Sequence, residues 1–332
     1  MRTIRVMLWS MVAVCAAVAG WWYFGRVLAA TEGLEVDPAK IKMIRLPDGS
    51  MVKGYDFPIH TLRPEEDYYH LKKPVSLVPE NTPVDEQGVP IIRKGGKVYN
   101  HPVRLAHHAI LYVNSYQMTK NPEYLKMAEK LAGRLEEIGI REGNRLYFPY
   151  EFDIYLHSIP SERLKPKWYS GMAQGQALSA FSRLYQVTGD KRYLKSAEEI
   201  FNSLVHLKAN DGSVWVSMVD ERQYFWMEEY PMETPTHVLN GYLYAIFGLY
   251  DYYQVTKSDG VKDVLQASLM TIHDHIDRYR VPGELSRYCL KHPHQSPLYH
   301  KIHIHQLDVV HKMTGMKKFG EMKKTFETDR KP

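Results

Sequence analysis

The chain has 332 residues, 44% of them hydrophobic and 24% charged, with a net charge of +5, enough to bury one large core or two smaller ones. Its two cysteines, Cys15 and Cys289, exclude a disulfide-built fold and leave the redox compartment open. Twenty-four tyrosines and 16 histidines, without a Lys/Arg block or nucleic-acid module, exclude a nucleic-acid partner and suit the flat faces of sugar rings. The charge excess sits in residues 281–332, ten Lys/Arg against five Asp/Glu. Residues 317–331 read as a solvated basic tail, whereas Arg287, Lys291 and Lys301 lie among aromatics and histidines, where they can attract an anion.

At the N-terminus, Arg2 and Arg5 precede an uncharged apolar run over residues 6–24, long enough to cross a bilayer. Trp21, Trp22 and Tyr23 stand where an interfacial belt would be. A membrane anchor over residues 1–30 is favoured over a cleaved signal peptide, for which Val27-Leu28-Ala29 offers a tolerable cut. Either way residues 31–332 are expected to be exported: a single-pass membrane protein with its catalytic domain in the Golgi lumen, periplasm or outside the cell, or a secreted protein.

Residues 31–100 form a second region, where LPDGS, VDEQG and RKGGK punctuate short β-prone runs such as SMVKGYDF and VPIIRK. This predicts a small β-hairpin-rich N-terminal region. From residue 101 the chain repeats itself: YQMTKNPEYLKMAEKL, YQVTGDKRYLKSAEEI, YQVTKSDGVKDVLQAS and HKMTGMKKFGEMKKTF. Their shared threonines are Thr119, Thr188, Thr256 and Thr314, each preceded by an apolar helix and followed by an amphipathic one. A single helical hairpin cannot bury its own apolar face, so hairpins recurring at this period must stack. The prediction over 101–332 is a mainly α catalytic domain, an incomplete α/α toroid of about four helical hairpins.

Three connecting segments carry the candidate chemistry. KPKWYSGMAQGQALSAF (165–181) offers Trp168 and Tyr169 as flat faces and Gln174 and Gln176 as amides, with Gly171 and Gly175 allowing close approach. EEYPMETPTHVLNGYLYAIFGLYDYY (228–253) is acidic, then locked by Pro231 and Pro235, then apolar at helical spacing through Leu239, Leu243, Ile246 and Leu249. A helix is predicted from about Thr236 through Gln254, with Glu228, Glu229 and Tyr230 on a rigid segment before it and Asn240 in its first turn. The third segment is LSRYCLKHPHQSPLYHKIHIHQL (285–307). Its His300, His303 and His305 invite a metal reading, but a helix aligns only the first two and a strand only the last two, and no metal is expected there.

Taken together, WYSGMAQGQALS, EEYPMETPTHVLNGYLYAIFGLYD, YCLKH and LYHKIHIHQL resemble the C-terminal catalytic domain of the D-glucuronyl C5-epimerases, over roughly residues 165–310. GVPIIRKGGKVYNHPVRLAHH is a weaker echo upstream. The resemblance implies an isomerase that inverts C5 of D-glucuronate to L-iduronate within a heparosan-like polysaccharide, with no cofactor and no metal. It implies tyrosine catalysis assisted by a glutamate: Tyr230 with Glu229 in EEYP, Tyr288 in YCLKH and Tyr299 in LYHKIHIHQL. Lys291 stands where the family carries arginine, which keeps the charge and loses the bidentate fork. The sizeable β-barrel that precedes this domain in the animal enzymes has no counterpart in the roughly 25 residues of GIREGNRLYFPYEFDIYLHSIPSER, so substrate-groove or dimer contacts built by it do not carry over. The expected partners are an anionic glucuronate-containing polysaccharide, the membrane through the N-terminal helix, and a second copy in a homodimer.

Inverting C5 requires removing a proton from one face and returning one to the other. C5 is α to a carboxylate, so negative charge accumulates on that group and must be offset. Lys291, Arg287 and protonated His300 or His303 are the expected cations, which would also lower a tyrosine toward tyrosinate. Tyr230 and Tyr299 are read as acting from different faces, with Tyr288 assisting. Trp168, Tyr169, Gln174, Gln176, Asn240, Arg287, Lys291, His300 and His303 are the expected substrate contacts. Two rival readings start from the same residues: a uronate polysaccharide lyase, in which the C5 anion expels the C4 substituent, and a non-catalytic glycan-binding protein.

Overall fold

The structure, a computed structural model, describes residues 33–329 except 79–81 and 210. Four helical hairpins follow one another: α1 (Pro102–Thr119) with α2 (Pro122–Ile138), α3 (Gly171–Thr188) with α4 (Lys191–Leu204), α5 (Leu239–Thr256) with α6 (Asp259–His275), and α7 (Pro297–Thr314) with α8 (Lys317–Asp329). The four repeated threonines each end the first helix of a hairpin. Each hydroxyl donates to the carbonyl four residues back at 2.7–2.8 Å and accepts an amide two residues ahead. The residue after each threonine turns left-handed, with φ of 58° at Lys120, 70° at Gly189, 52° at Lys257 and 67° at Gly315, which closes the helix. Asn121 and Asp190 then cap the next helix through the amides of Glu123 and Arg192.

The first helices form the inner row. α3 packs against α1 and α5, and α5 against α7, while each hairpin closes on itself. α5 is buried continuously from Leu239 to Tyr252, as a helix enclosed on every side must be. A Cβ at Gly175 would strike the Ala245 backbone, and one at Gly248 the Gly175 backbone, so these glycines let α3 and α5 touch main chain to main chain. Gly171 likewise faces the Glu228 backbone. The close approach expected at Gly171 and Gly175 is therefore to the protein itself. The architecture is an incomplete α/α toroid.

Short antiparallel hairpins decorate it: β1 (Lys42–Arg45) with β2 (Met51–Gly54), β3 (Ile92–Lys94) with β4 (Lys97–Tyr99), β5 (Ile140–Glu142) with β6 (Arg145–Tyr147), β7 (Ile154–Tyr155) with β8 (Arg163–Leu164), and β9 (Ser217–Val219) with β10 (Phe225–Met227). Residues 55–75 cross the helices as a strap. The Phe57 amide and carbonyl both bond the Gln266 side chain at 2.8 Å, the His60 amide donates to the Met313 carbonyl, and Tyr68 meets the Tyr244 hydroxyl at 2.7 Å.

One expectation is corrected. The anchor placed on residues 1–30 lies outside the described residues, and among the described residues no helix is long and apolar enough to cross a membrane. The reading as a single-pass membrane protein is withdrawn.

Candidate active site

The site is built where three segments meet at the start of α5. Strand β10 is buried at every position and delivers the chain to Glu228, which is fully buried. The Glu228 carboxylate accepts the amides of Thr236 and His237, both at 3.1 Å, the Thr236 hydroxyl at 3.2 Å and the His237 imidazole at 2.6 Å. It thereby closes the loop that Pro231 and Pro235 stiffen. Those amides are consumed by a side chain and His237 sits at φ 50°, so α5 starts at Leu239, three residues later than periodicity alone predicts. Val238 pairs with Cys289, the Leu239 amide donates to the Tyr288 carbonyl at 3.0 Å, and the Leu290 amide donates to Thr236 at 3.0 Å. The YCLKH segment is thus laid along the entry to α5. Tyr299 joins from the first turn of α7.

These connections bring four expected residues together. The Tyr288 hydroxyl donates to Glu229 Oε1 at 3.2 Å and lies 3.4 Å from the Tyr230 hydroxyl. The Tyr288 and Tyr299 rings are 4.4 Å apart between centres. Tyr288 thus stands between Glu229 and Tyr230, while Glu229 Oε2 is buried without a partner among the described residues. Tyr230 and Tyr299 are half-buried, Tyr288 and Glu229 buried behind them. A Cβ at Gly241 would run into the Glu229 carboxylate, so the glycine of VLNGYLY is the space this carboxyl occupies.

Burial pushes the Glu229 carboxyl up to about 7, against the opposing hydrogen bonds from Tyr230 and Tyr288. Burial, then the Glu229 charge, raises Tyr230 and Tyr299 above the ordinary phenol value. Among the described residues no lysine or arginine makes a hydrogen bond or ion pair with these four side chains.

The expected cations go elsewhere. The Lys291 ammonium lies 2.7 and 2.9 Å from the Glu162 carboxylate oxygens. His300 is fully buried, its Nδ1 accepting the Ser286 amide at 2.8 Å and its Nε2 donating to the Phe326 carbonyl at 3.0 Å. His303 meets the Ser286 hydroxyl at 2.8 Å and burial holds it down at about 3, so it is neutral. Arg287 pairs through its backbone with Tyr279 and Gln295, and its guanidinium makes no ion pair among the described residues.

Other expected contacts are structural. Gln174 is fully buried, donating to the Leu146 carbonyl and accepting the Phe148 amide. Trp168 stacks on Tyr150 at 3.9 Å, donates to the Phe152 carbonyl and stands 5.8 Å from the Tyr230 ring, so it walls the site rather than offering an open face. Tyr169 is half-buried with its ring edge on Tyr147, 5.5 Å away. Gln176 and Asn240 are buried, with Oε1 and Oδ1 unpartnered among the described residues. Sequence reasoning missed the imidazoles that surround Tyr288, His157 at 5.4 Å and His294 at 5.9 Å between ring centres, because His157 comes from the interval otherwise notable only for its missing barrel. The HPH of KHPHQSP was the available signal.

The opposite ends of the inner helices hold a second polar cluster. Arg183 on α3 donates to Asp251 on α5 at 2.8 Å and to Asp67 in the strap at 2.6 Å, lining a cavity of about 560 Å³.

A profile of the family described as "D-glucuronyl C5-epimerase C-terminus" matches residues 141–328, more than half the chain and all four clustered residues. A D-glucuronyl C5-epimerase of Caenorhabditis elegans is 38% identical over 106 residues, 30% of this chain and 17% of that protein's length. An uncharacterized protein of Methanocaldococcus jannaschii is 25% identical over 270 residues, 77% of this chain and 85% of its own. Among solved structures, the cellobiose 2-epimerase of Bacillus thermoamylovorans is similar at a TM-score of 0.49 and 12% identity, over 70% of this chain and 60% of that one. On the match across residues 141–328, the chain belongs to the family of the D-glucuronyl C5-epimerase C-terminal domain.

Proposed function

We propose that this protein inverts C5 of glucuronyl residues within a heparosan-like polysaccharide, giving iduronyl residues. The observation that carries the reading is the meeting of three phenols and one buried carboxyl from three separate segments, the Tyr288 hydroxyl bonded to Glu229 and Tyr230 and its ring set against Tyr299. The family match and the similarity to the C. elegans enzyme support the substrate class.

Among the described residues no lysine or arginine pairs with the phenols, and this changes the mechanism expected from sequence. A phenol held above its ordinary pKa cannot wait as tyrosinate at neutral pH. Glu229, at about 7, can take its proton instead. In this scheme Tyr230 accepts the C5 proton as its own hydroxyl proton passes to Glu229 through the Tyr288 hydroxyl. Tyr299 donates a proton to the other face of C5, and protonated Glu229 returns one to Tyr299 through the Tyr288 hydroxyl. Protons balance over the cycle, and Glu229 does the work expected of a cation-stabilised tyrosinate. Neutral phenol donors also stabilise the negative charge that develops on the substrate carboxyl.

The test is incubation of desulfated heparosan in heavy water. Deuterium at C5 without chain cleavage, lost in Tyr299→Phe, is the expected result. New unsaturated ends absorbing in the ultraviolet would make the protein a lyase, and no exchange at all would make it a glycan-binding protein.

A further inference from the structure

Next to Tyr288, whose ring meets that of His157 edge-on at 5.4 Å, three ligand-type atoms converge that the proton-transfer network does not use. The Cys289 thiol lies 3.6 Å from His157 Nε2 and 3.4 Å from His292 Nδ1, and all three atoms are within 4.8 Å of one another. With Zn–S about 2.3 Å and Zn–N about 2.0–2.1 Å, neighbouring ligand atoms of a tetrahedral zinc stand about 3.5 Å apart. The two sulfur–nitrogen separations match that edge before any ion is added.

The surroundings are those of a metal site as well. The other nitrogen of His292, Nε2, faces Glu162 Oε1 at 3.7 Å, the carboxylate partner that orients a ligating imidazole. Lys291 holds the same carboxylate in place. His294 stacks on the His157 ring at 4.1 Å. His157 and Ser158 are consecutive non-glycine residues in the left-handed region, φ 52° and 61°, at a cost of about 1 kcal/mol or more each. That turn, closed by the Leu156 amide donating to the Glu162 carbonyl and the Glu162 amide to the Ile159 carbonyl, is what aims the imidazole at Cys289.

We infer that His157, Cys289 and His292 bind a thiophilic divalent ion of the zinc class, with the fourth position left to water. A thiolate with two imidazoles selects such an ion over magnesium or calcium. Cys289 is buried and both imidazoles are half-buried. On binding, the thiol releases its proton to solvent. The ion would staple the 154–164 loop to the segment carrying Tyr288, fixing the residue that bridges Glu229 and Tyr230. The histidines of α7, on which a metal was considered from sequence, are not part of it. The inference does not depend on the epimerase reading.

The test uses the full chain, stripped with chelator and titrated with Co(II). Expected are one cobalt per chain, a thiolate-to-cobalt charge-transfer absorption in the near ultraviolet, and its displacement by Zn(II). Cys289→Ser should abolish the charge-transfer band, which also separates it from Cys15. Glu162→Gln, which leaves all three ligands in place, should keep the band and weaken affinity about 10- to 100-fold. Circular dichroism of each variant establishes that it is folded. A wild-type chain without the band, a band that survives in folded Cys289→Ser, or unchanged cobalt affinity in folded His157→Gln would overturn the site.

Discussion

The two ends of the inner helices bury carboxylates in opposite ways. At one end Asp67 and Asp251 share Arg183. Burial alone would discharge the guanidinium, but the two carboxylates more than offset this and it stays charged. At the other end Glu229 is as deeply buried and, among the described residues, has no lysine or arginine partner, so burial raises it to about 7. The first arrangement gives both carboxylates a guanidinium partner, which holds Asp67 below the ordinary value although burial still raises Asp251, and ties α3, α5 and the strap together. The second leaves a group that can give or take a proton near neutrality. A buried acid becomes available for chemistry when its cation is missing.

The comparison is broken most directly by Glu229→Gln, which should lower C5 exchange about 10²–10⁴-fold while leaving the fold intact; exchange kinetics beside thermal unfolding measure both. The mirror experiment is Arg183→Ala. It strands two carboxylates with one or no partner and should destabilise by about 3–5 kcal/mol in denaturant titration, with exchange per folded molecule retained. Should Arg183→Ala instead abolish exchange without loss of stability, the two ends have been assigned the wrong way round.

The pH response sharpens the contrast. Glu229 is raised from 4.5 in the unfolded chain to about 7 in the folded one, so the folded state holds the extra proton. Its stabilising contribution is complete below 4.5 and is lost as pH rises through about 7, about 3 kcal/mol over that span. The difference in unfolding free energy between wild type and Glu229→Gln should therefore change across this window, while exchange activity rises through about pH 7 as Glu229 ionises. The smallest effect concerns the caps at the Arg183 end. Lys120 and Lys257 occupy left-handed positions where the other two repeats have glycine. Lys120→Gly or Lys257→Gly should stabilise by about 0.5–1 kcal/mol, read as a shift in the unfolding midpoint.

The repeats were legible because their physics is local. A threonine that bonds four residues back, then a left-handed residue, joined in the first two repeats by a capping Asn or Asp, is written within a few positions, so Thr119, Thr188, Thr256 and Thr314 marked the helix ends directly. The tyrosines were legible only through family resemblance, since nothing in EEYP, YCLKH or LYHK alone says that the three hydroxyls meet. The cations were misread for a related reason. Lys291 carries the same charge whether it faces a uronate or Glu162, and the partner that decides lies 129 residues away.

Adjacent Glu228 and Glu229 show where the division falls. The sequence by itself determined that two carboxylates would enter a proline-stiffened turn before an apolar helix, because proline geometry and helical periodicity are properties of neighbouring residues. Only the tertiary structure decided that Glu228 would be saturated by Thr236 and His237 and that Glu229 would be left with an open oxygen among phenols. The same holds for Cys289, which acquires its imidazole neighbour from 132 residues upstream. Protonation, pairing and ligation depend on which groups share a desolvated volume, and long-range packing sets that volume.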